Sequence, residues 1–493
     1  MQRITVKFQI LLVCLLVPSI LPLITIAAGN KKRVFYVSSS IGCDENPGTR
    51  ILPKRTIRSI TTKDRDGLDI RLKCGDLFFE SVYGLSNSII RSYGKGSLPV
   101  LCGFKILKNP AAWHYEGNSL WRLDMNDEIN FAGFLSGQSK NQAMFNDIGC
   151  IYDFAYDKIY GHIVGHIDNM KKVGDIFTSD KYKRHDIDEN TFRYLYFYSD
   201  STLLKKTYLC FSTYENGICD MKSCLIKDIA VIGFACHGMC NMDGCIVEGC
   251  LLDIIGGSVQ TDTPYWVRYG NGIEFWISEK SPSRNIVKNN IISRTYDCGV
   301  TIQGNSNSFV ADAMDIHFVN NRFYHCRQAF EHFLNSGDTT CSPQYDNCEF
   351  TKNICFEMGE NEFSSPEPRD ANILSYDKEV KYLKIEKNVF YGSSYYCGRT
   401  RPFGMAKNKV FLYKGQYLYH FHGTTSNLSI YADNEKSVRK YKEWCGDNSK
   451  IIILEKENKD DKMIRKKIKK TRRRSSPFPV VIEKRQCYLK DYL

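Results

Sequence analysis

Residues 269–333 read YGNGIEFWISEKSPSRNIVKNNIISRTYDCGVTIQGNSNSFVADAMDIHFVNNRFYHCRQAFEHF and contain two alternating patterns. One is apolar-x-x-Asn-apolar, found in IVKNNII at 286–292 and HFVNNRFY at 317–324. The other is a small residue followed by alternating apolar and polar residues, found in GIEFW at 272–276, GVTIQ at 299–303 and AFEHF at 329–333. A strand, a turn and a second strand that recur with Asn at one fixed place are typical of a coil in a parallel β-solenoid.

The repeat extends beyond this stretch, with similar segments at 224–239, 244–257, 348–356 and 381–390. Aligning the segments places Asn290, Asn321, Asn353 and Asn388 at one position. A buried row of amides at a turn pairs main-chain groups that would otherwise lack hydrogen-bond partners. The sequence therefore predicts an all-β chain that folds as a parallel β-solenoid.

A second signal lies upstream, at residues 34–57, VFYVSSSIGCDENPGTRILPKRTI. A short strand precedes Gly-x-Asp-x-Asn-Pro-Gly-Thr at 42–49, and Pro53 and Thr56-Ile57 follow. This segment resembles the opening of the pectate-lyase-like right-handed parallel β-helix superfamily, in its Bacteroidetes-type right-handed β-helix repeat proteins. The resemblance implies a capping helix after Ile57, and a cap is also expected because an open solenoid end exposes sheet edges. It covers about residues 34–420, and it implies an all-β right-handed parallel β-helix with an N-terminal cap and a β-hairpin insert.

The composition is that of a folded protein, with 43% hydrophobic and 25% charged residues among 493. At the N-terminus, basic Arg3 and Lys7 precede an apolar run from Phe8 to Ile26 and small residues at 27–29, the layout of a secretory signal peptide. We therefore expect a secreted, periplasmic or cell-surface protein with no membrane span in the mature chain. A membrane anchor is the less favoured alternative.

The chain is expected to divide into five parts. These are a signal peptide at 1–28, an N-terminal cap and first coils at 29–139, a β-hairpin insert at 140–215, regular coils and a C-terminal cap at 216–454, and a basic tail at 455–493. Within the insert, 176–180 and 193–199 are predicted to pair as a hairpin.

Nine Lys or Arg residues and no acid lie in 462–474, so most of the net charge of +12 belongs to the tail. No aromatic residues alternate with these charges, and we expect no nucleic-acid partner. Of the 20 Cys, several occupy repeat positions, and Cys250, Cys298, Cys326 and Cys355 are interpreted as small buried hydrophobic residues. No Cys spacing fits a zinc site, and no metal is predicted.

Alternation along the three aligned strands assigns each side chain a direction. Ile273, Val300 and Phe330 are predicted to point inward. Two neighbouring rows then point outward, namely Glu274, Thr301 and Glu331, and Trp276, Gln303 and Phe333. Glu274 and Glu331 would lie two coils apart, about 9–10 Å, near the upper limit for the two carboxyl groups of an inverting glycosidase.

Glu274 and Glu331 are therefore the predicted catalytic acid and base of a hydrolase, and solvated surface glutamates are the alternative. Trp276 and Phe333 would offer sugar rings an apolar platform. The other predicted substrate contacts are Thr301, Gln303, Asp297, Arg327, His237, Arg268, Tyr269, Asn271 and His332. Asp297 and Arg327 share one position on successive coils and would otherwise form an ion pair. His332 is predicted to point inward, which favours a structural role over a ligand contact.

Four functions remain open. Glycoside hydrolysis of a polysaccharide in a surface groove is placed slightly ahead of β-elimination, for which Arg268, Arg294 and Arg327 are available bases and for which Ca²⁺ would be the expected cofactor. The polygalacturonase motifs are absent, and the sequence lacks a dense carboxylate cluster of the calcium kind. An epimerase and a non-catalytic glycan-binding or adhesion solenoid are the further alternatives. We expect a monomer.

Overall fold

The computed structural model describes residues 32–107, 109–125, 148–154, 156–178, 194–200, 209–213, 216–258, 268–277, 283–306, 312–336, 344–359, 363, 370–377, 382–392, 394–398, 405–412, 429–432 and 449–453. The predicted signal peptide and the predicted basic tail lie outside these ranges. Within them, no helix has the length and apolar character needed to cross a bilayer.

The chain begins with the strands β1 (Arg33–Val37), β2 (Leu68–Lys73), β3 (Leu77–Phe78), β4 (Val82–Tyr83), β5 (Ile89–Tyr93) and β6 (Val100–Cys102), with the helix α1 (Arg58–Thr61) after β1. A second group follows: β7 (Phe104–Ile106), β8 (His114–Gly117), β9 (Leu120–Asp124), β10 (Ile151–Asp153), β11 (Lys158–Tyr160), β12 (His162–Ile163), β13 (Asp175–Phe177), β14 (Tyr194–Tyr198) and β15 (Leu209–Ser212), with 3₁₀ turns at Pro110–Ala112 and Ile167–Asn169.

The remaining strands are β16 (Ile218–Lys222), β17 (Leu225–Lys227), β18 (Ala230–Ile232), β19 (Met239–Asp243), β20 (Ile246–Glu248), β21 (Leu251–Ile255), β22 (Ile273–Ile277), β23 (Ser283–Lys288), β24 (Ile291–Thr295), β25 (Cys298–Ser306), β26 (Ala313–Val319) and β27 (Arg322–Tyr324). They continue as β28 (Gln328–Ser336), β29 (Tyr345–Asp346), β30 (Glu349–Thr351), β31 (Ile354–Phe356), β32 (Ala371–Ser375), β33 (Lys384–Glu386), β34 (Val389–Tyr391), β35 (Ser394–Gly398), β36 (Met405–Ala406), β37 (Lys409–Leu412), β38 (Ser429–Ala432) and β39 (Lys450–Ile453).

Three long sheets run the length of the molecule, and all their strand pairs are parallel. Sheet A contains β1, β2, β5, β17, β20, β23, β26, β29, β30, β33 and β36; sheet B contains β4, β16, β19, β22, β25, β28, β32 and β35; sheet C contains β3, β6, β18, β21, β24, β27, β31, β34, β37, β38 and β39. From β16 to β37 the chain visits B, A and C in turn, so each of these coils contributes to every sheet, and β38 and β39 extend sheet C. The predicted fold, a right-handed parallel β-helix, is confirmed.

The coils enclose one continuous apolar core, to which every sheet contributes alternate side chains. Ile273, Val300 and Phe330 belong to it, as the alternation predicts, and all three are fully buried. Because each coil covers the apolar face of its neighbour, the core grows with the number of coils and needs no second layer of structure.

The Gly-x-Asp-x-Asn-Pro-Gly-Thr segment closes the first coil through its polar side chains. Asp44 accepts hydrogen bonds from the main-chain N–H of Thr56 at 2.8 Å and from its hydroxyl at 2.9 Å. The amide of Asn46 donates to the carbonyl of Pro53 at 2.9 Å. Gly48 has a φ of 82°, a conformation that costs glycine little. These hydrogen bonds thus stabilise a turn at the end of sheet A.

The predicted capping helix is present as α1, a single turn. Its first N–H groups, those of Ile57 and Arg58, donate to the carboxylate of Glu80 at 3.1 and 2.8 Å. Glu80 lies outside the helix and supplies the acceptor that a capping side chain would normally provide. The cap is therefore fixed to the first coil rather than held by its own helical propensity.

The predicted asparagine row is a continuous hydrogen-bonded ladder, and it extends to Asn408. The side-chain amides of Asn290, Asn321, Asn353 and Asn388 each donate to the Oδ1 of the next member, at 3.0–3.2 Å. Each Oδ1 also accepts a hydrogen bond from the main-chain N–H of the residue at the same position in the preceding coil. One coil before Asn290 the position is held by Cys250, whose N–H donates to Asn290 at 2.8 Å. The row satisfies buried polar groups at every turn.

An insert in which most strand pairs are antiparallel interrupts the solenoid between β6 and β16. It forms two sheets, with β7, β10, β11 and β15 in one and β8, β9, β12, β13 and β14 in the other. The predicted pairing of the segments at 176–180 and 193–199 is seen where β13 meets β14, with Ile176 opposite Phe197. The insert boundary expected at 140 is wrong, since β7, β8 and β9 already belong to these sheets. Their short alternating runs do not differ from coil strands in sequence.

Candidate functional site

Sheet B carries the side chains that the sequence analysis singled out. Glu274 on β22 lies opposite Thr301 on β25, and Thr301 lies opposite Glu331 on β28. Trp276, Gln303 and Phe333 form the parallel row two residues further along the same strands. The register predicted from the repeat is therefore the register of the structure, and both rows lie on the face opposite the core.

The first row is covered, although it points away from the core. Thr301 is fully buried and Glu331 is only 6% exposed, whereas the side chain of Glu274 is 15% exposed. The expectation of an open outward face is wrong for Thr301 and Glu331. Their burial places a carboxyl group where water cannot solvate its charge, and this changes its chemistry.

Glu274 is held by two neighbouring donors. The side-chain amide of Asn271 donates to Oε2 of Glu274 at 2.9 Å. Nε2 of His237 lies 3.5 Å from the same oxygen. The main-chain N–H of Asn271 donates to Nδ1 of His237 at 3.2 Å, so Nδ1 is an acceptor and the ring proton of a neutral His237 is on Nε2, facing Glu274. Asn271 and His237 thus both direct hydrogen-bond donors at Oε2 of Glu274.

Glu331 has different surroundings. Its Oε2 accepts hydrogen bonds from the amide of Gln303 and from the thiol of Cys298, the latter at 3.3 Å. Burial, and then the nearby carboxylates of Asp297 and Glu274, raise the pKa of Glu331 to about 8. At neutral pH this side chain is therefore mainly a protonated acid that can donate a proton.

Asp297 lies beside Glu331 and links it to a cationic group. Burial raises the pKa of Asp297, and the guanidinium of Arg327 acts in the opposite direction. Arg327 forms an ion pair with Asp370, Nε to Oδ1, at 2.9 Å. Arg327 thus pairs with Asp370, and its charge acts on Asp297, the partner expected from the sequence. The thiol of Cys298 contacts Asp297 at 3.6 Å, so it connects the two carboxyl groups.

Tyr269 also belongs to this group. Burial raises the pKa of its hydroxyl, as do the charges of Asp297, Glu274 and Glu331. A neutral phenol near three carboxyl groups can donate a hydrogen bond to one of them or to a ligand hydroxyl.

An aromatic surface borders the carboxyl groups. The ring centroids of Trp276 and Phe333 lie 6.3 Å apart in an edge arrangement, and Tyr376 continues the row 6.0 Å beyond Phe333. Trp276 is 42% exposed, an unusual state for so large a side chain. A row of partly exposed rings next to polar groups suits a ligand with both apolar faces and hydroxyls.

Arg268 does not fit its predicted role as a ligand contact or a base. Its guanidinium donates to the carbonyls of Gly257 and Gly161 and, at 3.3 Å, to that of Gly149. The group also lies over the ring of Tyr296, with the guanidinium carbon 4.3 Å from its centroid. Arg268 therefore joins the insert to the coils, a role that strand alternation could not reveal.

His332 is not a ligand contact either. It is fully buried inside the solenoid, where its Nδ1 lies 2.6 Å from Oδ2 of Asp377. The hydroxyl of Tyr345 donates to the same oxygen at 2.7 Å. The inward direction expected from alternation is confirmed, and the buried partner that it requires is Asp377.

Three functional neighbours escaped the sequence analysis. Cys298, interpreted there as a small hydrophobic residue, hydrogen-bonds to Asp297 and Glu331 through its thiol. Asp370 and Tyr376 flank β32, where the position aligned with Gly299 and Ala329 is held by Asn372 instead of a small residue. Only the position of Cys298 directly after Asp297, at the start of an aligned strand, could have drawn attention to it.

A metal could be held by the same groups. Asp297, Cys298 and Glu331 each place one potential ligand atom within 4.8 Å of the others. Calcium prefers six to eight oxygen ligands, which this mixed set of two carboxyls and a thiol does not resemble. The absence of a metal or cofactor stays a prediction.

Comparisons with known proteins give structural neighbours only. No family model matches the sequence, and no curated protein matches it. A structure of XylC with xylose aligns at a TM-score of 0.46 and 10% identity, over 81% of this chain and 69% of that one. The GH136 lacto-N-biosidase from Eubacterium ramulus aligns at 0.41 and 11%, over 86% and 68%. A glycoside hydrolase aligns at 0.33 and 10%, over 85% and 96%. TM-scores below 0.5 at such identities do not transfer a function.

Proposed function

We propose that this protein is a glycoside hydrolase that cleaves a polysaccharide bound along the outer face of sheet B. The observation that supports this most is the buried Glu331, whose carboxyl pKa is raised, two coils from Glu274, whose Oε2 faces hydrogen-bond donors. Glycoside hydrolysis requires this division of roles, with one carboxylic acid to protonate the leaving oxygen and one carboxylate to act on the other side of the sugar.

Glu331 is the proposed general acid. A pKa of about 8 keeps its proton at neutral pH and still allows release to a glycosidic oxygen in the transition state. Gln303 orients the carboxyl group through its hydrogen bond to Oε2. Burial, more than any single partner, thus raises the pKa of this carboxyl group.

Glu274 is the proposed base that activates water. Asn271 and His237 direct donors at its Oε2, and it is the more exposed of the two glutamates. Two strand spacings separate it from Glu331, about 9.6 Å between the backbones. The separation suits an inverting mechanism, in which water needs room beside the sugar. The fully buried Thr301 lies between them, and its hydroxyl has no hydrogen-bond partner among the described residues.

Asp297 is the alternative partner, because its carboxyl oxygen lies within 4.8 Å of that of Glu331. Such a short separation is nearer to that of retaining enzymes, in which the second carboxylate is a nucleophile. We favour Glu274 because burial raises the pKa of Asp297, which makes its ionised form less available. The anomeric configuration of the first product distinguishes Glu274 from Asp297 as the second catalytic carboxyl group.

A lyase is less well supported. The three arginines that could act as its base are occupied: Arg268 by main-chain carbonyls, Arg294 by Asp253 and Asp157, and Arg327 by Asp370. A non-catalytic glycan-binding protein would need only the row of Trp276, Phe333 and Tyr376. The raised pKa of Glu331 serves no purpose in that case.

The test is to incubate the protein with a panel of polysaccharides and to measure reducing ends together with absorbance of unsaturated sugars. We expect reducing ends without unsaturation. Both signals together would replace the hydrolase with a lyase, and neither signal, with binding retained, would leave a glycan-binding protein. NMR of the fresh product then gives the anomer: inversion supports Glu274, and retention supports Asp297.

The wider assignments stay proposals. They are membership of the pectate-lyase-like superfamily, export to the periplasm, cell surface or medium, and a monomeric state. The epimerase alternative predicts an altered sugar without a new reducing end, which the same NMR spectra would show.

A further inference from the structure

Two cysteines on neighbouring coils of sheet B have thiols in direct contact. Cys219 on β16 and Cys240 on β19 are opposite each other in the parallel register. Their sulfur atoms lie 2.8 Å apart, closer than unbonded sulfur atoms ordinarily approach, and both residues are buried. Adjacent parallel strands lie about 4.8 Å apart, within the 4.4–6.8 Å range of Cα separations across a disulfide.

The pair occupies the same outward row as the proposed catalytic glutamates. Met239 is in register with Ile273, so the next residues, Cys240 and Glu274, lie side by side. The charge of Glu274 contributes to the raised pKa of Cys240, which agrees with this proximity. The row therefore runs from the thiol pair through Glu274 and Thr301 to Glu331.

We propose that Cys219 and Cys240 form a disulfide that joins the first two regular coils at the end of the row occupied by Glu274. The bond would fix the strand β19, which pairs with β22, the strand that carries Glu274. It would close a loop of 22 residues, and cross-linking a loop of that size restricts the unfolded chain. The proposal does not depend on the hydrolase assignment.

The oxidant is a low-molecular-weight disulfide. One cysteine thiolate attacks a sulfur of the oxidant, forms a mixed disulfide and releases one small thiol. The second cysteine thiolate attacks the protein sulfur of that mixed disulfide, forms the Cys219–Cys240 bond and releases the second small thiol. The two protons lost by the cysteines are taken up by the two departing thiolates, and the oxidant is reduced by two electrons.

The surroundings favour bond formation during folding. Contact with Cys219, together with burial, raises the pKa of the Cys240 thiol well above its ordinary value. The reactive thiolate is therefore scarce once the coils have closed, and a folded dithiol reacts slowly. The same burial protects the finished bond from reductants.

Other described thiols make different contacts. Cys250 and Cys326 donate to main-chain carbonyls, and Cys298 donates to Glu331 and Gln328. Cys224 and Cys245 also interact on neighbouring coils, but each donates to main-chain carbonyls as well. A Cys224–Cys245 bond is therefore the outcome that the experiment must distinguish.

The test is to refold the full chain with oxidised glutathione, alkylate it under denaturing conditions without reductant, and map the peptides by mass spectrometry. Trypsin with an aspartate-specific protease places the two cysteines on the peptides 207–219 and 228–242. Fragmentation within these peptides distinguishes Cys219 from Cys210 and Cys240 from Cys236. We expect the two peptides to be linked, at a mass two hydrogens below their sum. Complete alkylation of both cysteines, or a Cys224–Cys245 link instead, would overturn the proposal.

A second measurement compares the thermal unfolding of the oxidised protein with that of protein that has been reduced by dithiothreitol in denaturant and refolded in its presence, because the folded chain shields the bond from reductant. Reduction should lower the Tm of the wild-type protein by about 3–10 °C. The double variant Cys219→Ser/Cys240→Ser should show no response, whereas Cys250→Ser should respond as the wild type does. An equal response of the double variant and the wild type would refute the bond. If the double variant does not fold, the peptide map of the wild type decides.

Discussion

Two outer faces of the solenoid each carry a glutamate in a ladder of neighbouring coils, yet the two differ in protonation. On sheet A, Glu349 lies between His317 and Lys384, and the hydrogen bond from His317 lowers the pKa of its carboxyl. On sheet B, Glu331 lies between Thr301 and Leu374, and burial raises its pKa to about 8. Identical strand geometry thus accompanies a lowered carboxyl pKa in one place and a raised one in the other.

The difference arises from the neighbours and from the cover. Glu349 has basic side chains on both sides and a partly exposed carboxyl, so its charge is stabilised. Glu331 has carboxyl groups nearby and almost no contact with water. The alignment of side chains on neighbouring coils therefore does not indicate a function by itself. The burial of each side chain and the charges around it determine its chemical state.

The largest expected effect is on catalysis. Glu331→Gln should lower the rate on polysaccharides about 10²–10⁴-fold, because it removes the proposed proton donor. Glu349→Gln, the same change on sheet A, should leave the rate unaltered. The measurement is initial rates of reducing-end release. Aryl glycosides with good leaving groups need less protonation and should be affected much less by Glu331→Gln. An equal loss in both variants would remove the distinction between the faces.

The second effect concerns ligand contact. Trp276→Ala should raise KM about tenfold with a smaller change in kcat, since the ring is proposed to bind sugar in the ground and transition states alike. Met314→Ala is the control, because Met314 is a similarly exposed apolar side chain on β26 of sheet A. A tenfold rise in KM from Met314→Ala would show that the binding surface is not confined to sheet B.

The third effect is on stability and has opposite signs on the two faces. The folded pKa of Glu331 lies above its ordinary 4.5, so folding binds a proton and the wild type loses stability as the pH rises from about 4.5 to about 8. Glu331→Gln escapes this loss, and its Tm should gain about 5 °C on the wild type over that window. The folded pKa of Glu349 is lowered, so its stabilisation is present at higher pH and is lost as the pH falls below 4.5.

Melting curves of both variants and the wild type between pH 4 and 9 provide the check. Parallel curves for Glu331→Gln and the wild type would mean that Glu331 is ionised at neutral pH, and the general-acid assignment would then fail.

The smallest expected effect is that of metal removal. Glu331 is proposed to hold a proton, so treatment with EDTA should change the hydrolysis rate by less than about twofold, and added Ca²⁺ should not raise it. A loss of activity that Ca²⁺ restores would instead assign Asp297, Cys298 and Glu331 to a cation and would favour the lyase.

The sequence by itself determined the solenoid, the register of sheet B and the asparagine row. These follow from local rules: side chains alternate with a period of two, and each coil must repeat the apolar residues of the last. The opening segment likewise contained its own hydrogen-bond partners, as the contacts of Asp44 with Thr56 illustrate. Such features depend only on contacts between residues that are close in the chain or that occupy the same position in successive repeats.

Only the tertiary structure decided what the outer row does. The cover that buries Thr301 and Glu331, the carbonyls that occupy Arg268 and the thiol that links Asp297 to Glu331 arise from contacts between distant segments. Alternation gives a side chain a direction but not a depth, and the pKa of a carboxyl depends on its depth and on the charges around it. The positions of the candidate glutamates were thus predictable from sequence, whereas their different chemical states were not.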